Sequence, residues 1–376
     1  MRPKMTQQQL ADAACVSLGT IRKIEQGKRG VSDSALEAIA YALGVDPSRL
    51  RSDRSAAHTP VHDALPALSA ALATYDIPDD GPACPLPELR VAVEEAARWR
   101  LAAQYTRIAR RLPDLLTELA RAYHQAPAHE RIELTRLLVS AYRSADAVAY
   151  KFGAWDLSAR LVDLMRWTVP EAGDPLLTAS VAYVRTETFF AARAHGPGLH
   201  SLENALDAVP DPNNSAQIAV RGSLHMRAAV IAGRAGNTSA AETHLDEART
   251  FGGQLPEGVY YGTAFGPDSV RIHEVSVAVS LGDGHVGRAL DVARGWKPPV
   301  GLPAERRSGF YIELGRAQLW SGHADHAFES FKMARRISPQ HTREHPWVRE
   351  DAATLRRLKR ADSETLTNFA EWCAAI

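Results

Sequence analysis

Two segments far apart in the chain share one skeleton, and that repetition constrains the fold more than any single motif does. "YIELGRAQLWSGHADHAFESFKMARRISP" places Tyr311, Leu314 and Gly315 before Gly322, then Ala327, Phe331 and Ala334, and ends at Pro339. "YRSADAVAYKFGAWDLSARLVDLMRWTVP" follows it with Tyr142, Gly153, Ser158, Met165 and Pro170, and its glycine and proline stand the same distance apart. "AAVIAGRAGNTSAAETHLDEA" gives a third copy through Gly236, Ala241, Leu245 and Ala248. An apolar helical period on both sides of a glycine describes two helices joined by a short turn, with small residues where they approach and large ones filling the gap. From Glu88 onward the chain is rich in alanine, leucine and arginine, with short Gly, Pro, Asn or Asp turns. Stacked helix pairs over 88–376 are therefore expected.

The front of the chain is organised differently. In "TQQQLADAA", Thr6 can cap a helix, Gln9 stands at the capping-box position, and Leu10 and Ala14 share a face. Ser17 can cap "LGTIRKIEQG", with Ile21 and Ile24 turned inward and Gly27 as its stop. "SDSALEAIAYALG" sets Leu36, Ile39, Ala40 and Leu43 on one face and ends at Gly44. Three short helices in about fifty residues suit a helix-turn-helix core. Lysine plus arginine equals aspartate plus glutamate at 44 each over the whole chain, so any pull on nucleic acid must be local. It is local here: residues 1–54 hold nine lysines and arginines against six acids, a formal excess of three.

The stretch "TQQQLADAACVSLGTIRKIEQGKRGVSDSALEAIAYALGVDPSRL" resembles the Xre, or lambda-repressor-like, helix-turn-helix family across nearly all its motif positions. The resemblance implies that residues 17–27 form the recognition helix, docked in the major groove. It further implies that Leu18, Gly19, Thr20, Arg22 and Lys23 lie where that family faces bases, with Gln7 at a backbone contact. Arg22 or Lys23 would donate to guanine O6 and N7, while Lys28 and Arg29 suit phosphates. A merely solvated basic face is the plain alternative for Arg22 and Lys23. Two departures stand out. The family has a helix before the one at Thr6, where only "MRPK" is found. The first helix is thus expected to be missing, with the apolar faces of Leu10, Ile21 and Leu36 partly uncovered: either the true start lies upstream of Met1 or the module is weakened, and the retention of both DNA-facing helices favours the first. Cys15 also stands where the tight turn usually has glycine, at an expected cost of about 1 kcal/mol if the left-handed geometry is kept.

The helix-pair skeleton is similar to the tetratricopeptide pattern. The whole arrangement resembles a group of actinobacterial regulators in which an Xre-type head precedes a divergent tetratricopeptide-like domain. "GTAFGPDSVRIHEVSVAVSLGD" and "HPWVREDAATLRRLKR" are similar to segments of that group. Between head and array, "RSDRSAAHTP" reads as an exposed linker, and "VHDALPALSAALATY" as a short helix through Leu65, Leu68 and Leu72. "DIPDDGPACPLP", with four prolines and a glycine in twelve residues, excludes a helix and sets a boundary near 87.

Other motifs point less far. "GDGHVG" at Gly282, Gly284 and Gly287 spells G-x-G-x-x-G, but its preceding segment also reads helically through Val270, Glu274, Val277 and Leu281 from Pro267. A repeat turn suits it better than a dinucleotide site, which needs further βαβ units. His323, His326, His341 and His345 crowd the last repeat without a thiolate, and are expected to be turn histidines rather than metal ligands. "HERIE" at His129 is not HExxH, and no G-x-S-x-G occurs, so no enzyme is expected. Asn204, Asn213, Asn214, Asn237 and Asn368 are few for a peptide-backbone clamp, and "DPNNS" and "AGNTS" put three of them in turns. Arg185, Arg221, Arg227 and Arg271 are the candidate donors on inner helices, each also readable as a solvated or paired arginine. A concave face with Trp99, Tyr105, Tyr183, Phe189 and His273 is the candidate effector site, with core packing as the plain alternative.

The expected fold class is all-α: a helix-turn-helix module over 1–54, a linker with a short helix over 55–87, and an α-solenoid of tetratricopeptide-like pairs over 88–376. The expected function is sequence-specific transcriptional regulation on double-stranded DNA, as a homodimer whose solenoid senses a peptide or small-molecule effector. Dimerisation follows because one small head makes few base contacts. Neither cofactor nor metal is expected. Cys15, Cys84 and Cys373 lie apart with no CxxC spacing, which suits a reducing cytoplasm, and no apolar run is long enough for a membrane span. The alternative is a protein-interaction scaffold whose degenerate helix-turn-helix does not read DNA.

Overall fold

The computed structural model describes residues 5–25, 33–43, 59–358 and 364–375. They form two compact units, Met1–Thr59 and Pro60–Ile376. Both are built almost entirely of helices, so the chain is all-α; the described strands are two short ones.

In the first unit, α1 (Gln7–Ala13) opens on Thr6, whose hydroxyl accepts from the Gln9 amide while the Gln9 side chain accepts from the Thr6 amide. This reciprocal pair satisfies two amides that the first turn would otherwise leave open. The chain then turns through Cys15 at φ 52°, where the Val16 amide returns to the Ala11 carbonyl. Ser17 caps α2 (Leu18–Glu25) by accepting from the Thr20 amide at 3.1 Å. α3 (Asp33–Leu43) completes the unit. Ala11, Ala14, Ile21 and Ile39 form its buried centre, with Leu10, Val16, Leu18 and Ile24 packed against them. Ile21 is 2% exposed, which corrects the expectation that its face would lie partly open: the three helices cover it among themselves. Leu10 is half-buried, and the Leu36 side chain lies outside what is described.

The second unit begins with α4 (Pro60–Ala73), whose Val61, Leu68 and Leu72 enter the main core. Six helix pairs follow. They are α5 (Leu86–Leu101) with α6 (Tyr105–Gln125), α7 (Ala128–Lys151) with α8 (Trp155–Thr168), and α9 (Pro175–Ala191) with α10 (His195–Ala208). After these come α11 (Ser215–Arg234) with α12 (Thr238–Gly252), α13 (Pro267–Leu281) with α14 (Val286–Ala293), and α15 (Ala304–Trp320) with α16 (Ala324–Ile337). α17 (Pro339–Glu344), α18 (Pro346–Leu358) and α19 (Glu364–Trp372) end the unit. Strands β1 (Gly258–Tyr260) and β2 (Thr263–Phe265) form an antiparallel hairpin between α12 and α13, with Tyr260 opposite Thr263.

Five pairs turn in one way. The second residue after the first helix takes positive φ: Ala103, Gly153, Arg193, Gly236 and Gly322. The next amide reaches back five residues, as Ala154 does to Ala149 at 2.9 Å and His323 to Gln318 at 2.8 Å. This is the closure that satisfies a helix's last carbonyls. The copies read from the sequence also pack as their residue sizes require. A Cβ on Gly315 would stand 2.7 Å from the Phe331 ring, so glycine there lets α16 approach α15. Asn214 and Asn237 cap α11 and α12, and of the glycines of "GDGHVG" Gly282 and Gly284 lie in the turn after α13 while Gly287 lies in the first turn of α14.

The first helices of the pairs line up beside one another, α5 on α7, α7 on α9, and so on to α15. The row then returns on itself, because α15 also packs against α5. At the same junction Gln340 of α17 bridges the Thr106 amide and hydroxyl at the start of α6. The six first helices thus enclose an interior.

Candidate nucleic-acid interface and interior chamber

The exposed face of the first unit gathers side chains from α1 and α2. Arg22 is exposed, and its Nε reaches Gln7 Oε1 at 3.4 Å, while the Gln7 amide nitrogen donates to Glu25. Gly19 is exposed with only Ser17 Oγ near an added Cβ, at 3.9 Å, so a surface can approach the helix backbone there. Thr20 is half-buried, its hydroxyl held by Ser17 at 2.8 Å. Leu18 packs partly against the core, so only its outer edge is available for a base contact. Lys28 and Arg29 lie outside the described residues, as does the Lys23 side chain. What α2 offers is a short capped helix with Gly19 and Arg22 three residues apart on one exposed side and the Thr20 hydroxyl turned to Ser17.

The interior of the second unit has a different chemistry. Every first helix contributes at least one ionisable group to it: Arg100 from α5, Arg143, Asp146 and Lys151 from α7, Tyr183 and Glu187 from α9. α11 adds Arg227 and Arg234, α13 adds His273, and α15 adds Glu305, Arg306 and Glu313. Three guanidiniums converge on Tyr183. Arg306 donates to its hydroxyl at 2.8 Å, while Arg227 and Arg143 lie 4.7 and 6.0 Å from its ring centre. Arg306 also meets His273 Nε2 at 3.0 Å, and Arg227 holds Thr186 and Glu187. Lys151 pairs with Glu305 at 3.0 Å and touches His341, which Ser308 holds from the other ring nitrogen.

The β1–β2 hairpin closes one side of this chamber. Phe265 is fully buried, and its ring fills the space that a side chain on Gly222 of α11 would need, so that even a methyl group there would overlap it. The tip, Tyr261 and Gly262, has positive φ at both residues, as a tight hairpin turn requires. Its carbonyls are held from within: Tyr261 O by Arg143 at 2.6 Å and Gly262 O by Arg100 at 2.8 Å. Arg143 also donates to the Thr263 hydroxyl at 2.7 Å.

Burial acts on several of these groups. It pulls Arg143 down to about 9, helped by the charge of Arg100. It raises Glu313 to about 7 and lowers His273 well below the usual imidazole value, with Arg306 adding to the latter. Burial also opposes ionisation of Tyr183, but Arg306, Arg227 and Arg143 outweigh it and bring the phenol below its ordinary value. Glu305 is likewise opposed by burial and held below the usual carboxylate range by Lys151, His341 and Arg306. Asp146 is pushed well up, by burial first and then by Glu187, whose carboxyl it meets. Asp146 Oδ2 and Glu187 Oε2 have no other partner, and a proton held by Asp146 satisfies both.

The sequence reading found part of this chamber. Of the four arginines it singled out, Arg227 reaches the interior. Arg221 braces the carbonyls of Leu206 and Val209, Arg271 donates to Val292 and lies over Trp296, and Arg185 packs on Phe189. Tyr105, Tyr183 and His273 are buried around the chamber, whereas Trp99 and Phe189 are partly buried core neighbours. Arg100, Arg143, Lys151 and Arg306 went unread; the signal that would find them is a charged residue at inner-face positions of successive first helices. The four histidines do not converge: His323 is exposed at the N-cap of α16 and His326 is exposed in that helix's first turn, and His341 and His345 are a separate pair with rings 5.6 Å apart. Among the described residues no cluster of three potential metal ligands is found, and no helix is long and apolar enough to cross a membrane.

A helix-turn-helix family model matches residues 2–50, the stretch that contains α1, α2 and α3. No curated protein matches the chain.

Proposed function

We propose, starting from the helix-turn-helix domain at residues 2–50, that the protein is a sequence-specific DNA-binding transcriptional regulator of the Xre type. The observation that carries this reading is the exposed side of α2, where Gly19 and Arg22 lie three residues apart and Arg22 reaches Gln7 on a capped two-helix frame. Docked in the major groove, α2 presents Arg22 and Lys23 to base edges, with the outer edge of Leu18 near a thymine methyl. Gln7 binds the backbone at the start of α1, and Lys28 and Arg29 neutralise phosphates. The protein acts as a homodimer on a two-fold symmetric operator. The second unit is a tetratricopeptide-like repeat that supplies dimerisation and senses a peptide or small-molecule effector through its interior, without catalysis. The repeated hairpin turns and the Gly315 approach to Phe331 support the repeat reading.

The test is selection of the full chain on a pool of randomised duplexes, with Arg22→Ala/Lys23→Ala as the control. Enrichment of a two-fold symmetric site that the control loses is the expected result. The Arg22 loss should amount to about 1–3 kcal/mol and relax specificity at one base pair, whereas Lys28→Ala should weaken all duplexes alike and lower the salt slope by about one. Weak binding without sequence preference, unchanged in the control, would sink the reading and leave a protein-interaction scaffold in its place.

A further inference from the structure

Charge in the chamber does not balance. Among the described residues, Arg100, Arg143, Lys151, Arg227, Arg234 and Arg306 face Asp146, Glu187, Glu305 and Glu313, a formal excess of two positive charges. Burying like charge is among the costliest arrangements a fold can hold, and structural ion pairs do not need it.

Donors are also in surplus. The buried Tyr105 hydroxyl and Arg100 Nε have no hydrogen-bond partner, nor does Arg234 Nε. Three guanidiniums surround the neutral Tyr183 phenol, and two others of their kind are spent on neutral backbone carbonyls or left partly open. A set of forked cationic donors converging on a neutral phenol, where Arg227 alone of the three reaches a carboxylate, that of Glu187, has the form of an oxyanion receptor. The anchored hairpin keeps that receptor in shape, since Phe265 fixes its base against Gly222 while Arg100 and Arg143 fix its tip.

We propose that this chamber binds a small ligand carrying two or more negative charges on carboxylate or phosphate oxygens, held by Arg143, Arg227 and Arg306 around Tyr183. The proposal rests on the reading of the second unit as a sensor and gives that sensor the chemistry of its effector. A neutral molecule or a cation would leave that surplus uncompensated. The ligand reaches groups that are deep but not sealed: Arg143, Lys151, Arg227 and Arg306 are half-buried, each keeping some surface open to water.

The experiment titrates the full chain with inorganic pyrophosphate and, separately, with citrate, against sodium chloride at matched ionic strength, by calorimetry and thermal melting. One equivalent of either anion per chain with a raised melting temperature is the expected result. Citrate alone assigns a carboxylate ligand, and pyrophosphate alone a phosphate ligand. Arg143→Gln should weaken binding by about ten- to a hundredfold, the loss expected for a forked charge-assisted contact. Should that variant fail to fold, Arg227→Lys keeps the charge but not the fork and should weaken binding by about tenfold. No binding of either anion, or binding that both variants leave unchanged, overturns the proposal. The outcome is separable from operator selection. Anion binding with unaltered operator affinity would keep the site and remove its sensor role, and operator selection without anion binding would keep the regulator and remove the site.

Discussion

The two units place their chemistry in opposite ways. The first gathers a few apolar side chains, Ala11, Ala14, Ile21 and Ile39, inside three short helices and leaves its polar groups on the outside. The second wraps a far larger apolar core around a ring of helices and then turns charge inward, with Arg100, Arg143 and Arg306 in its interior. The difference teaches where each unit is vulnerable. The small one has little apolar area to lose, so its margin is thin; the large one has area to spare and commits part of that stability to buried charge.

The most severe way to break the comparison is to empty the hairpin's anchor. Phe265→Ala should cost about 3–5 kcal/mol in the second unit, read by urea unfolding, because a fully buried ring leaves a cavity against Gly222. A loss near zero would mean that the hairpin does not hold the chamber. In the first unit Ile21→Ala should cost about 2–5 kcal/mol, enough to unfold a domain of that size. Two separate melting transitions, only the weaker of them lost in Ile21→Ala together with operator binding, would sharpen the contrast.

The next effect is pH-dependent and belongs to the second unit alone. Glu313 is raised by burial to about 7 from an ordinary 4.5. A carboxyl raised on folding contributes stability that is fully present below 4.5 and is lost as pH rises through about 7. Glu313→Gln removes that loss, so the variant should match its parent near pH 4.5 and exceed it at pH 8.5 by roughly 3 kcal/mol at most. A gain that is constant with pH would place its origin in packing and not in charge.

The smallest effects are in the turns, where both units use the same device. Cys15 at φ 52° and Arg193 at φ 53° hold a conformation that glycine adopts freely. Cys15→Gly and Arg193→Gly should each stabilise their own unit by up to about 1 kcal/mol, measured as a shift of its own melting transition. A loss in either would show that the side chain contributes more by its contacts than its backbone costs.

Those turns also explain which parts of the fold were legible. The pairs turning at Gly153, Gly236 and Gly322 announced themselves, because glycine marks the left-handed residue and the flanking sizes repeat. The pairs turning at Ala103 and Arg193 have the same geometry without the glycine, so nothing in composition set them apart. The first unit was legible to the level of its caps, since Thr6, Gln9 and Ser17 act on neighbours a few residues away. The chamber was not, because its members come from six helices and meet only when the row closes. Helical phase misled in detail as well. Tyr183 and Glu187 share a face, but Arg185 between them points elsewhere, to Phe189 and Ser201. Arg271 likewise turns away from the chamber that His273 enters. The β1–β2 hairpin left no mark in a sequence that reads as helix turn after helix turn, being three residues on each side.

The contact of α15 with α5 changes what kind of array the second unit is. An open stack of repeats can lose its last member and fray inward, and can gain one by duplication, because each repeat answers only to its neighbours. A row that meets its own beginning has no last member. Its repeat number is set by the curvature that brings the ends together, so lineage change by adding or deleting a pair is closed to it, and substitution within the existing pairs is the route left open.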